Sequence, residues 1–98
     1  MRFKVSRQAA RELDEIFLYW ARRASLAAAD RIIERIEEQF ARLAENPHAG
    51  RKCDEIAPGV RSFPAGRYLI YYRHARAITA ILQVFDGARD QGKAFEAS

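Results

Sequence analysis

The sequence predicts an α+β fold in which one short strand and two amphipathic helices precede a three-stranded antiparallel sheet. Apolar residues recur every three or four positions from residue 7 to about residue 45, which is typical of helices with one buried face. From residue 60 to residue 85 they alternate with other residues instead, as in half-buried strands. The predicted element order is therefore β-α-α-β-β-β, and we expect the apolar face of the helical pair to pack on the sheet.

The amino-terminal segment is predicted to form a strand followed by a helix. In RFKVS the apolar residues alternate with basic ones, and Ser6 can cap a helix that starts at residue 7. Acidic residues such as Glu12 are expected mostly on the solvent face of this helix. Its apolar stripe is predicted to consist of Ala10, Leu13, Phe17, Trp20 and Ala24, flanked by Ala9 and Ile16.

A second helix is predicted after Ser25, which interrupts the first pattern and can cap the next helix. This helix must end before Pro47, because proline lacks an amide hydrogen and disfavours a helical conformation at Asn46. The short connection between the helices predicts an antiparallel hairpin. The apolar stripe of the second helix is Ala29, Ile32, Ile33, Ile36, Phe40 and Leu43.

Three strands are predicted after a loop at residues 51–59, which holds many polar residues and a Pro-Gly turn. The runs VRSFPAG, RYLIYYRH and ARAITAILQVF supply these strands. The even-numbered residues from Tyr68 to Tyr72 are expected to share one face, and so are those from Ile78 to Val84. We expect three to five residues between the last two strands, because the Asn-Gly or Asp-Gly pair of a two-residue turn is absent.

The chain is predicted to form a single domain over residues 1–98, with residues 91–98 as a flexible tail. So small a domain buries a limited fraction of its surface, and we expect a partner to complete its core. The absence of a long apolar run and the single cysteine predict a cytoplasmic protein without membrane contact. Because its neighbours are charged, Cys53 is expected to be an exposed thiol.

The net charge of +4 is unevenly distributed along the chain. Residues 1–50 carry a balance of +1, and residues 51–98 carry +3. The predicted helices interleave both signs, as solvated helix faces do. Only the second half has a positive excess that can attract an acidic partner.

The sequence offers little support for metal, cofactor or nucleophile chemistry. His48, His74 and Cys53 lack the spacing of metal ligands, and the five glycines do not cluster as phosphate-binding loops require. No base lies beside Cys53 in the sequence to activate it. We therefore expect no metal, no cofactor and no catalytic nucleophile.

Metal-independent RNA cleavage is a function that the residue types permit. It needs a base, an acid and a cation, but His74 lies at the expected tip of a hairpin, where a side chain is too exposed to be held rigidly. Aromatic residues interleaved with arginines can stack on bases, although we favour core packing and a partner surface as their role. The candidates are Arg61, Arg67, Arg73 and Arg89 as cations, and Tyr71, Tyr72 or His74 as proton carriers.

Four segments together resemble the ParE toxins of bacterial type II toxin–antitoxin modules, within the RelE/ParE superfamily. They are SRQAARELDEIFLYWARR, AADRIIERIEEQFARLAENPHAGR, GVRSFPAGRYLIYYR and VFDGARD, which occur in the family's order and spacing. The resemblance spans roughly residues 3–90 and implies the same fold as the periodicity.

The resemblance implies a non-enzymatic toxin that inhibits DNA gyrase by binding. It also implies a ParD-like antitoxin, whose C-terminal segment wraps the toxin and whose N-terminal part binds operator DNA. The toxin would then reach DNA only through the antitoxin, in a hetero-oligomer. We expect no catalytic residues, and we expect the antitoxin or the target to contact Arg61, Arg67, Tyr71, Arg73, Gln83, Asp86 and Arg89.

Two positions depart from the family's pattern. ParE-like sequences commonly carry an arginine, two further residues and a histidine before Gly-Ala-Arg-Asp, whereas this chain has Gln83 and Asp86. These departures leave open a non-toxic co-repressor that binds the antitoxin. A RelE-like ribosome-dependent ribonuclease is a further alternative, weakened because no tyrosine follows Tyr72.

Overall fold

A computed structural model describes residues 3–87 and confirms the predicted α+β class. Arg89 and the predicted tail at residues 91–98 lie outside the described residues. The elements are β1 (Phe3–Val5), α1 (Arg7–Arg23), α2 (Leu26–Glu45), β2 (Arg51–Lys52), β3 (Val60–Ala65), β4 (Tyr68–Ala75) and β5 (Ile78–Asp86). No helix in this part of the chain is both long and apolar enough to cross a membrane.

The strands form one mixed sheet with the order β1-β5-β4-β3-β2. The predicted three-stranded antiparallel sheet is correct for β3, β4 and β5 but incomplete, because β1 pairs in parallel with β5 at one edge and β2 pairs with β3 at the other. The loop prediction was wrong at Arg51–Lys52, since these two residues form β2. A strand of two residues is too short to show alternation, so only its pairing with β3 identifies it.

Both helices begin where predicted, and the second ends before Pro47 as predicted. Ser6 Oγ accepts a hydrogen bond from the Ala9 amide and Ser25 Oγ accepts one from the Ala28 amide, which confirms both N-caps. The second helix ends at Glu45, two residues before Pro47. The hairpin is therefore specified by local signals.

The main core lies between the helical hairpin and one face of the sheet. Phe40, Ile70, Tyr72 and Ile81 are fully buried there. The predicted α2 stripe packs into this core, but the α1 stripe is rotated by about one position. Its buried residues are Ala9, Leu13 and Ile16, whereas Ala10 and Ala24 are exposed.

A second, smaller cluster covers part of the opposite sheet face. Cys53, Val60 and Tyr71 are buried in it, and Leu82 and Phe85 pack against them. The prediction of an exposed Cys53 thiol was wrong, because pairing of β2 with β3 brings its amide to the Val60 carbonyl and its Sγ to Ser62 Oγ at 3.3 Å. Its charged sequence neighbours Arg51, Lys52, Asp54 and Glu55 are exposed, whereas Cys53 is buried.

A register shift between β4 and β5 inverts the faces of β5. Tyr71 lies opposite Gln83, whereas the next residue, Tyr72, lies opposite Ile81, so Leu82 is the extra residue of a β-bulge. Ile81 and Val84 consequently pack in the main core, while Leu82 packs on the opposite face. The prediction of one shared face from Ile78 to Val84 was wrong, because a bulge interrupts the period of two.

The connection between β4 and β5 is shorter than predicted. It consists of Arg76 and Ala77 alone, with φ of 54° and 65°. Positive φ at both central residues is the conformation of a type I′ hairpin turn, which Asn and Gly usually occupy. The prediction of three to five residues failed because two unfavourable residues adopt this geometry.

Candidate functional site

Side chains from α1, from the β3–β4 turn, from β4 and from β5 meet at one end of the sheet in what we call the aromatic corner. It consists of Tyr19, Trp20, Arg67, Tyr68 and Asp86. The Arg67 guanidinium carbon lies 5.5 Å from the centre of the Trp20 ring, 5.7 Å from that of Tyr68 and 6.0 Å from that of Tyr19. Trp20 Nε1 donates to Tyr68 Oη at 2.7 Å, which links α1 to β4. The corner therefore combines cation–π contacts with a hydrogen bond that holds the helix to the sheet.

An ion pair joins the two predicted site residues of this corner. Arg67 Nε donates to Asp86 Oδ2 at 3.0 Å, and a second guanidinium nitrogen contacts the same oxygen. This hydrogen bond raises the pKa of Arg67 above its ordinary value. The Asp86 side chain is 11% exposed and that of Arg67 is 40% exposed, so the carboxylate lies inside and the guanidinium faces the surface.

Two grooves meet at Arg67 and Tyr68. The first, which we call the edge groove, has a volume of about 390 Å³ and lies between α1 and β5, with Glu12, Glu15 and Asp86 along it. The second, the helix groove, has a volume of about 500 Å³ and lies between α2 and the β3–β4 turn. Apolar side chains that line the helix groove are Trp20, Ile32, Ile36 and Ala65. A ligand that filled both grooves would cross Arg67.

Arg61 lies away from the corner and holds the segment that follows α2. Its guanidinium donates to the Gly50 carbonyl at 2.8 Å and lies 3.2 Å from His48 Nδ1. Beside it, Tyr72 Oη donates to the Pro47 carbonyl and accepts from the Gly50 amide, and burial raises the pKa of Tyr72. A Cβ at Gly50 would lie 2.5 Å from Tyr72 Oη, so glycine is required for this close approach.

Arg73 and His74 lie at the other end of β4. Arg73 Nε donates to the Pro58 carbonyl at 3.1 Å, and His74 Nδ1 lies 2.8 Å from Thr79 Oγ1. The first contact holds the loop before β3 against β4. The second joins the two strands of the β4–β5 hairpin.

Tyr71 and Gln83 face each other on the sheet surface opposite the helices. The Tyr71 ring stacks on Phe85 with centroids 5.2 Å apart and an interplanar angle of 20°. Gln83 is 6% exposed. Burial also raises the pKa of Tyr71.

The described members of the predicted site thus occupy separate places. Arg67 and Asp86 share the aromatic corner, and Tyr71 and Gln83 share the outer sheet face. Arg61 and Arg73 each hold a different loop.

The Glu12 carboxylate contacts the backbone of β5, whereas the sequence predicted that this residue lies on the solvent face of α1. Its Oε1 accepts a hydrogen bond from the Val84 amide at 2.7 Å, and its Oε2 accepts one from Gln8 Nε2 at 3.0 Å. Burial is the main cause that raises the pKa of Glu12. The sequence did contain an indication that Glu12 faces the sheet. It lies three residues after Ala9 and four before Ile16, within the arc of the buried stripe.

Comparison with known proteins identifies the family of the chain. The family described as ParE toxin of type II toxin-antitoxin system, parDE, matches residues 3–91. Toxin ParE1 of Mycobacterium tuberculosis (strain CDC 1551 / Oshkosh) is 35% identical over 72 residues, which cover 74% of each chain. Toxin ParE3 of Caulobacter vibrioides is 29% identical over 82 residues, which cover 84% of this chain and 82% of the relative.

A solved structure has the same fold. It is described as the chromosomal ParDE TA system from P. aeruginosa, and its matching chain is 27% identical with a TM-score of 0.76. The match covers 88% of this chain and 95% of that one. The shared fold therefore extends over nearly the whole described sequence.

Proposed function

The chain belongs to the ParE toxins of type II toxin–antitoxin systems, and from this premise we propose that it inhibits DNA gyrase by binding and is neutralised by a cognate ParD-like antitoxin. The toxin acts in the cytoplasm, without catalysis, and reaches operator DNA through the antitoxin.

One observation carries the choice of binding over catalysis. The side chains that RNA cleavage would use are engaged in holding the fold: Arg61 bonds to the Gly50 carbonyl, Tyr72 to Pro47 and Gly50, and His74 lies against Thr79. Arg61 and Tyr72 lie side by side, but both are bonded to the segment at residues 47–50, whereas His74 lies toward the far end of β4 against Thr79. General acid–base chemistry needs such groups within hydrogen-bond reach of one substrate, so this arrangement supports an inhibitor that binds.

The helix groove supports antitoxin binding at the same end of the molecule. Its apolar side chains Ile32, Ile36 and Trp20 lie beside Tyr68, and it joins the edge groove at Arg67. An amphipathic segment that orders on binding can bury such a groove. The antitoxin would thereby cover apolar surface that a domain of 98 residues cannot bury alone.

Two parallel assays test the target. The purified toxin is added to a gyrase supercoiling reaction and to an in vitro translation reaction, each with and without the product of the adjacent gene. We expect loss of supercoiling, intact translation and recovery of supercoiling when the adjacent gene product is added. Intact supercoiling with blocked translation would instead indicate a RelE-like ribonuclease, and no effect on either reaction would indicate a co-repressor.

Variants at the two departing positions extend this test. Restoring the family's pattern with Gln83→Arg and Asp86→His should strengthen gyrase inhibition, because both changes add positive charge or remove negative charge near the end of β5. Thermal melts must first show that the variants fold, since Gln83 is buried beside Tyr71. Unchanged inhibition by a folded variant would place the gyrase contact elsewhere.

A matched pair of variants tests the antitoxin surface. Ala65→Trp fills the helix groove, whereas Ala27→Trp adds the same side chain to an exposed position near the start of α2. The first should weaken antitoxin binding at least tenfold and the second should leave it unchanged, as isothermal titration calorimetry can measure. Equal affinities for both variants would exclude the helix groove as the binding surface.

A further inference from the structure

Arg67 occupies the ridge between the edge groove and the helix groove. It lines both of them together with Tyr68, and Gly66 in the left-handed region with φ of 64° precedes it in the β3–β4 turn. Its guanidinium is held over three aromatic rings, so its position is determined by packing as well as by charge. A segment bound along both grooves must contact this ridge.

Asp86 determines what this ridge presents to a partner. A guanidinium with a free edge binds a carboxylate through two parallel hydrogen bonds, and the edge of Arg67 formed by Nε and one terminal nitrogen is already directed at Asp86 Oδ2. The formal charges of Arg67 and Asp86 cancel each other. A partner carboxylate at this place would therefore meet a guanidinium with one edge occupied and the negative charge of Asp86 a few ångströms away.

The two partners of this ion pair differ in burial. The Asp86 side chain is 11% exposed and its carboxylate is bonded to Arg67, whereas the Arg67 side chain is 40% exposed and remains within reach of a partner. The Gly87 amide also donates to the Arg67 carbonyl at 3.0 Å, which holds the end of β5 against the β3–β4 turn. Both ends of the ion pair are thus attached to ordered backbone.

We propose that the Arg67–Asp86 ion pair is a specificity determinant for the antitoxin, which must cross the ridge with a neutral or apolar side chain rather than a carboxylate. This inference rests on the function proposed above and names the chemistry of the partner at one point of the same surface. Loss of the Asp86 charge converts the ridge into a site that prefers an acidic side chain.

A display experiment tests the proposal. The C-terminal segment of the protein encoded by the adjacent gene is displayed as a library in which each position is replaced by all amino acids. The library is selected for binding to purified wild-type toxin, to Asp86→Asn and to Glu15→Gln. The last variant is the matched control, because Glu15 also lines the edge groove and the same change removes one negative charge there.

We expect Asp or Glu to be enriched about tenfold at one position of the segment when the selection uses Asp86→Asn, and not with the wild type or Glu15→Gln. The enrichment should disappear with the double variant Arg67→Gln and Asp86→Asn, which removes the cation as well. Circular dichroism and melting curves confirm that each variant is folded, and Asp86→Ala replaces Asp86→Asn if that variant melts early.

The same enrichment profile with wild type, Asp86→Asn and Glu15→Gln would overturn this proposal while leaving the toxin–antitoxin function intact. Persistence of the acidic preference in the double variant would also overturn it, because the cation would then lie elsewhere. Failure of the unmutated segment to bind wild-type toxin would instead refute the proposed antitoxin partner, and with it the inference.

Discussion

Glu12 accepts a backbone hydrogen bond from β5 at a point that β1 does not reach. The register of β1 ends with Val5 opposite Ile81, and Ser6 then bonds to the carbonyls of Ile81 and Leu82. The Val84 amide follows, and the Glu12 carboxylate is its acceptor at 2.7 Å. A side chain of α1 therefore supplies a hydrogen-bond acceptor to a backbone amide of β5 beyond the end of β1.

Removal of the Glu12 side chain should destabilise the domain. In Glu12→Ala the Val84 amide loses its acceptor, which should lower the free energy of unfolding by about 1–2 kcal/mol in urea titrations near pH 7. Glu15→Ala, one helical turn further along, is the control, because Glu15 is exposed and should change the free energy by less than about 0.5 kcal/mol. Equal losses would mean that the hydrogen bond contributes little.

The raised pKa of Glu12 predicts a dependence of stability on pH. A carboxyl group whose folded pKa is raised contributes stability that is fully present below its unfolded pKa of about 4.3 and is lost as pH rises through the folded value. The wild type should therefore lose stability relative to Glu12→Gln, which does not titrate, between pH 4 and pH 7. Urea unfolding of both proteins across this range measures the difference, and a constant difference would contradict the prediction.

At the scale of elements, the β4–β5 hairpin has two local irregularities that determine its shape. The bulge at Leu82 changes which residues of β5 face the helices. The turn places Arg76 and Ala77 at positive φ, which costs an ordinary L residue about 1–2 kcal/mol. The pairing of eight residues of β4 with β5 must compensate for this strain.

Removal of the conformational strain at Ala77 in this turn should stabilise the hairpin. Ala77→Gly removes the steric cost of the left-handed conformation and should raise the free energy of unfolding by about 0.5–1 kcal/mol, after allowance for the greater freedom of glycine in the unfolded chain. Ala75→Gly, two residues earlier in β4, should instead lower it by about 0.5–1 kcal/mol. Thermal unfolding of the two variants should shift in opposite directions, and parallel shifts would contradict the assigned turn.

At the scale of the whole molecule, the parallel pairing of β1 with β5 joins the beginning of the described chain to its end. Ser6 illustrates this, because its Oγ accepts from the Ala9 amide as a helix cap and also donates to the Leu82 carbonyl, 76 residues away. Ser25 caps α2 in the same way, with no such contact to the sheet among residues 3–87. A comparison of the two serines therefore separates the stabilisation provided by a helix cap from that provided by the long-range hydrogen bond.

Ser6→Ala should consequently cost more than Ser25→Ala. Loss of a cap lowers the free energy of unfolding by about 1 kcal/mol, and the bond to Leu82 should add about 1 kcal/mol at Ser6 alone. Chemical denaturation of the two variants measures the difference. If the two losses are equal, the bond that joins α1 to β5 has no net effect on stability.

The sequence by itself determined the α+β class, both helix caps, the α2 stripe and the faces of β4, because each of these depends on residues a few positions apart. It also named Arg67 and Asp86 as site residues without pairing them, since 19 positions separate them. Only the tertiary structure decided the parallel closure by β1, the strand β2, the bulge at Leu82, the burial of Cys53 and the orientation of Glu12. These features arise from contacts between distant segments, where register and packing outweigh the local pattern.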